Sequence, residues 1–274
     1  MTVLRQWISK RFHQRLEKRI NFGTNEDLKR SSMIFAPHQN DETLGCGGTI
    51  IRKRAMDVAV DVVFMTDGRS SHSHLISTQL LTALRIEEAR SACEQLGVTQ
   101  DRVSFLNCPD GFVDKVGHMY VPQILELIRE REPEEIYIPY ANDPQADHVA
   151  TNRLLCTLLK ASRLNVNVME YPVWAWYQWP WVRVPTVRAK RSAPEALSHT
   201  ARFDGGLRIS NDLNYGISTE DVSEQKLSAL CQYHTQMTRF NSDPRWLTLH
   251  DVADGDWLEH LLKNSEMFYS YTMG

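Results

Sequence analysis

An α/β fold, built on a doubly wound and mostly parallel sheet, is what this 274-residue chain predicts on three observations. Apolar stretches of strand length alternate with helical patterns up to about residue 173. Polar turns follow several of those stretches at their carboxyl ends, where ligands bind in such sheets. The length suffices to bury a sizeable core. We expect a single α/β domain over residues 31–274, ending in C-terminal helices with a small extra hairpin or loop region, and a separate N-terminal helix within residues 1–30.

Val3, Leu4, Trp7, Ile8, Phe12, Leu16 and Ile20 recur at helical spacing, with Arg5, Lys10, Arg11, Arg15, Lys18 and Arg19 between them, so residues 3–21 predict a basic amphipathic helix. Such a helix either makes a peripheral membrane or partner contact, or packs on its own domain. Ser32 to Pro37 reads as a buried strand, Gly45 to Arg54 as a helix and Val58 to Thr66 as a second strand. Thr78 to Leu96 is helical and stopped by Gly97. Strands at 103–106 and 135–139, helices at 121–132 and 147–159, and an extended segment at 166–173 continue the alternation. Trp174, Trp176, Trp179 and Trp181 then alternate through Pro180, which suits a hairpin or loop. That segment is read as a sugar-stacking wall, a homo-oligomer contact or one buried strand face. Helices at 220–236 and 257–268 complete the chain.

Composition narrows the function. A formal charge of −3, with 31 basic and 34 acidic side chains, gives no electrostatic case for nucleic acid. No apolar run approaches the roughly 18 to 20 residues of a membrane span. The five cysteines are scattered and odd in number, as buried free thiols in a reducing compartment are. With no secretory signal pattern at Met1–Phe12, a cytoplasmic location is expected.

Two segments carry chemistry. Ala36 to Ile50 places His38 and Asp41 after a strand and before the glycines 45, 47 and 48; Asn142 to His148 ends on a second histidine after another strand. His38, Asp41 and His148 are two imidazoles and a carboxylate, the ligand set of an open catalytic zinc site holding one divalent ion. Such an ion lowers the pKa of water from 15.7 toward about 7.

These residues resemble the signature of the PIG-L/LmbE-type zinc-dependent de-N-acetylases, which usually read His-Pro-Asp-Asp-Glu and, later, His-Pro-Asp-His. The resemblance continues through Thr66-Asp67-Gly68, the Arg85-x-x-Glu88 helix, Pro109-Asp110-Gly111, Lys226 to Gln236 and Glu266-x-Phe268, roughly residues 31–270. It implies a Rossmann-like fold, zinc on His38, Asp41 and His148, and hydrolysis of the acetyl amide of an N-acetylglucosamine-type sugar or conjugate. Asn40 stands at the family's base position and Gln145 at its first histidine; Gln39 and Ala146 replace both prolines. Asn40 cannot take a proton, and Gln145 donates a hydrogen bond without giving one up.

On this reading Asn40 orients water, Gln145 binds the oxyanion, and Asp147 either substitutes as a base or supports a ligand histidine. Glu42 and Asp143 are further substitutes for the base. Asp67, Arg85 and Asp110 are expected to bind substrate; Asp110 also suits a plain Asp-Gly turn, and Arg85 an i,i+3 salt bridge with Glu88. Ser71-His72-Ser73-His74 reads as a polar loop over the cleft rather than a metal pair, for lack of a third ligand. His199 is left without a role. The alternative is a catalytically diverted or silent relative that keeps its metal and binds a sugar-like ligand.

Overall fold

The computed structural model describes residues 2–182 and 207–274. Eight strands form one sheet: β1 (Asn21–Phe22), β2 (Ser32–Ala36), β3 (Val60–Thr66), β4 (Val103–Cys108), β5 (Glu135–Pro139), β6 (Val166–Tyr171), β7 (Tyr215–Ser218) and β8 (Ser265–Met273). Their order is β1-β7-β8-β6-β5-β2-β3-β4. All neighbours pair parallel except β8, which runs antiparallel between β6 and β7.

Side chains alternate between two cores because a strand points successive residues to opposite faces. In β2, Ile34 and Ala36 enter one core, with Val62 and Phe64; Met33 and Phe35 enter the other, with Val63 and Met65. Both faces are covered by helices, which is why these strands read as continuous apolar runs. The helices are α1 (Thr2–Glu17), α2 (Asp41–Arg54), α3 (Thr78–Gln95), α4 (Val113–Val116), α5 (Val121–Arg131), α6 (Ala146–Ser162), α7 (Leu207–Asp212), α8 (Ser223–Leu230), α9 (His234–Met237) and α10 (Asp256–Leu261). None of the described helices is long and apolar enough to cross a membrane.

Strand order reverses between β2 and β5. From β2 the chain winds outward to β3 and β4; from β5 it winds the other way to β6. The crevice at such a switch point, beyond the carboxyl ends of the strands, is where this architecture binds ligands.

Several expectations are corrected. The helix expected at 257–268 stops at Leu261, and Ser265–Met273 is strand β8. Its apolar Met267 and Phe268 face the core that α2 packs on, so the local apolar continuity that suggests helix is satisfied by sheet packing. The helix expected at 220–236 begins as an α-helix at Ser223, breaks at residues 231–233, where the Tyr233 hydroxyl donates to Glu42, and restarts as α9. The tryptophan segment is a loop with a 3-10 turn at Trp174–Trp176 and no strand among its described residues. Cys231 is exposed, unlike Cys46, Cys93 and Cys108. His199 lies outside the described residues.

Candidate active site at the strand ends

The first turn of α2 brings Asp41 directly after β2, and α6 brings His148 directly after the β5 turn. Two of the glycines in α2 have a steric purpose. A Cβ at Gly45 would meet the Tyr171 ring at 2.3 Å, and one at Gly48 would meet Thr219 at 2.3 Å. The helix is thereby pressed onto β6 and the segment after β7, which fixes Asp41.

Asp41 Oδ2 is the hub. It accepts the His38 backbone N–H at 2.8 Å and lies 3.3 Å from His38 Nδ1 and 3.1 Å from His148 Nε2. The donor atoms of His38, Asp41 and His148 all fall within 4.8 Å of one another, and the two imidazoles stack at 5.5 Å. The far nitrogens meet carboxylates: His38 Nε2 is 3.2 Å from Asp110 and 3.3 Å from Asp147, and His148 Nδ1 is 3.6 Å from Asp143. Ligand histidines are usually held this way through their second nitrogen.

The donor set fits a cation. His148 is fully buried, yet neither ring nitrogen makes a hydrogen bond of acceptable geometry. Burial alone would lower its pKa, but the carboxylates of Asp41 and Asp143 outweigh it and push it up to about 9. Burial likewise opposes charge on Asp41, and His148 and His38 override it to hold that carboxyl below its ordinary range. Two imidazoles amid Asp41, Asp110, Asp143 and Asp147 leave an excess of negative charge that a divalent ion would neutralise.

Residues 33–159 match the PIG-L family, described as GlcNAc-PI de-N-acetylase. That stretch is similar to the PIG-L family. The chain is 24% identical over 261 residues to the 1D-myo-inositol 2-acetamido-2-deoxy-alpha-D-glucopyranoside deacetylase of Rhodococcus opacus (strain B4), covering 82% of this chain and 88% of that one, so the likeness extends well beyond the PIG-L match. The fold is similar to that of N,N'-diacetylchitobiose deacetylase from Pyrococcus horikoshii, with a TM-score of 0.63 and 18% identity over 97% of this chain and 92% of that one. It is also similar to a 4-carboxy-2-hydroxymuconate hydratase from Pseudomonas putida KT2440, with a TM-score of 0.53 and 13% identity over 89% and 95% of the two chains. A fold shared by deacetylases and a hydratase leaves the reaction to be argued from the side chains.

A cavity of about 420 Å³ opens beside the cluster, lined on its polar side by His38, Asn40, Asp41, Arg85, Asp110 and Gln145. Trp174, Leu247, Leu249 and Val252 form an apolar wall. Asn40 has a backbone φ of 123°, outside the range that side-chain-bearing residues ordinarily adopt. Its Nδ2 donates to Gln236 Oε1 at 2.6 Å, and Gln236 Nε2 donates to the Gln39 carbonyl at 2.7 Å. That chain fixes both amides, so Asn40 has its Oδ1, an acceptor only, left for a ligand. Gln145 Oε1 accepts from the Asp147 N–H at 2.7 Å and caps α6, which leaves its Nε2 as a donor.

Asp147 and Asp67 do not line the cavity. Asp147 accepts from the Gly111 N–H at 2.7 Å and the Val113 N–H at 3.2 Å, tying the Asp110 turn to His38. Asp67 accepts from Arg69 Nε and from the Asp110 N–H, bracing the same turn. The other substitute bases are committed as well. Asp143 collects the N–H groups of Val173, Trp174 and Ala175, and Glu42 accepts from Tyr233 and the Asn40 N–H. Burial outweighs those bonds and pushes Glu42 up to about 7.

Arg85 does not bridge to Glu88. Glu88 accepts from Thr235 N and Oγ1, both at 2.7 Å. Arg85 is 3% exposed, donates from Nη2 to Ser71 Oγ at 2.8 Å, and leaves Nε without a partner. The residue missed by sequence reasoning is Gln236; the Tyr-x-Thr-Gln ending that carries it is visible, but its partner Asn40 is not.

Proposed function

We propose that the chain is a metal-dependent de-N-acetylase of an N-acetylated amino sugar or its conjugate. The observation that carries this is His148, buried with both nitrogens unbonded beside Asp41 and His38 at the strand-end switch point. His38, Asp41 and His148 would hold zinc, which supplies Lewis-acid polarisation of the amide carbonyl and acidifies water. The likeness to amino-sugar deacetylases supports the substrate class.

The protein's own side chains define the rest. Asn40 Oδ1 accepts a hydrogen bond from the attacking water and sets its direction without taking its proton. Gln145 Nε2, held by the cap its Oε1 makes, donates to the oxyanion that develops on the acetyl group. Arg85 and Asp110 offer a donor fork and an acceptor to sugar hydroxyls, and Trp174 and Leu247 offer an apolar surface to the sugar face. Without a proton-accepting group at position 40, turnover is expected to be about 10²- to 10⁴-fold below that of a site holding a positioned base.

The locked Asn40 amide also favours a second reading, a diverted or silent cleft that binds a sugar-like ligand. Acetate release from N-acetylglucosamine conjugates separates the two. Slow release by the native chain, lost in His148→Ala and raised by Asn40→Asp with Gln145→His, is expected; ligand binding with no acetate from any of these chains selects the second reading.

A further inference from the structure

We propose that the outward face of α1 is a docking surface for an anionic lipid bilayer, independent of the strand-end site. Helix α1 is anchored from within: Ser9, Leu16 and Ile20 are buried, Phe12 meets Trp179, and His13 stacks edge-on against His260 of α10 at 5.6 Å. The opposite face carries Trp7, Lys10, Arg11, Gln14, Arg15 and Lys18, all exposed. Their spacing of three and four places them in a single stripe along the helix.

Two features of the stripe call for a partner. Lys10, Arg11, Arg15 and Lys18 pair with no carboxylate among the described residues. The single acidic residue of the helix, Glu17, turns to His13 at 3.4 Å, and Arg19 is already engaged by Ser210, Asn211 and Leu213. Residues 1–20 hold six Lys and Arg against one Glu, a net +5 in a chain whose total is −3, which leaves −8 on the remainder. Such an asymmetry orients the molecule, helix toward a negative surface and body away from it.

Trp7 decides in favour of lipid over nucleic acid. It is 57% exposed with Arg11 Cζ 5.4 Å over its ring, a large aromatic left in water on the face opposite the buried Leu16. An indole beside cations suits the headgroup layer, where aromatic rings and basic side chains collect. The apolar stripe that the sequence suggests for membrane contact is instead turned inward at Leu16 and Ile20, so the contact is electrostatic, with one aromatic anchor.

The test is flotation of the full chain with vesicles of phosphatidylglycerol and phosphatidylcholine, or of phosphatidylcholine alone, at low and physiological salt. Binding is expected to the anionic vesicles only and to weaken with salt. Each Lys or Arg near an anionic surface contributes about 1 kcal/mol, or about fivefold, so a Lys10→Gln, Arg11→Gln, Arg15→Gln, Lys18→Gln variant should bind about 100-fold more weakly or worse. Trp7→Ser alone should weaken anionic binding several-fold, with melting temperature unchanged because all these side chains point away from the body. The proposal is overturned if the native chain stays with the buffer, if the fourfold variant floats as well as the native chain, or if a single-stranded oligonucleotide binds the stripe more tightly than the vesicles do.

Discussion

Arg85 is buried beside the cavity, and its proposed role in holding substrate can be separated from its effect on stability. Among the described residues the buried Arg85 guanidinium makes no carboxylate salt bridge and leaves Nε unbonded, and burial outweighs the nearby carboxylates of Asp110, Glu88 and Asp41, so its desolvation is incompletely offset. Arg85→Met should therefore keep or raise the melting temperature while raising KM for an N-acetyl amino sugar about 10- to 100-fold, the loss expected for a hydrogen bond to a charged group. A drop in stability with unchanged KM would make Arg85 structural. Asn40 and Gln236 are matched in the same sense. A carboxylate at position 40 would face Gln236 Oε1, whose reversal would set that oxygen against the Gln39 carbonyl. Neither relation is legible in the sequence, because Glu88 finds its partner 147 residues away and Asn40 finds its own 196 residues away.

Helix α2 supplies Asp41, and its position depends on a buried ion pair behind it. Glu266 of β8 accepts from the N–H groups of Gly48 and Thr49, and Lys226 of α8 donates to Glu266 at 2.7 Å and to the carbonyls of Leu44 and Leu261. Lys226→Met leaves the Glu266 carboxylate without its cation, and should cost about 3–5 kcal/mol in denaturant melts. The contact of α1 with α10 responds to acid. Burial lowers His13 to about 3, and burial, Lys263 and His13 together hold His260 well below its usual value. The unfolded chain then binds more protons between about 3 and 6.5, so this contribution is complete above about pH 6.5 and declines as pH falls. Melting temperature should drop less between pH 7 and pH 5 in His260→Phe than in the native chain; an equal drop would remove this pair as the cause. The elements themselves were legible where the pattern was pronounced, as continuous apolar runs in β2 and β3 and as helical periodicity in α3 and α6. Strands β1, β7 and β8 were not, because each is defined by partners far along the chain rather than by a pattern of its own.

For the whole molecule, one topological fact places the chemistry. The sheet reverses direction between β2 and β5, and the turns after those two strands carry His38, Asp41 and His148 into one crevice. The alternation of strands and helices, and the two motifs at strand ends, were sufficient in the sequence to anticipate that convergence. The apolar wall was less so, since Leu247, Leu249 and Val252 come from a segment without regular pattern. The proposed chemistry requires the His38, Asp41 and His148 cluster to hold a metal. Metal analysis of the purified chain after zinc equilibration and gel filtration tests this most directly: about one zinc per chain, falling to none in His148→Ala, is the expected result, and a native chain that retains no metal would rule out a metal-dependent reaction at this cluster.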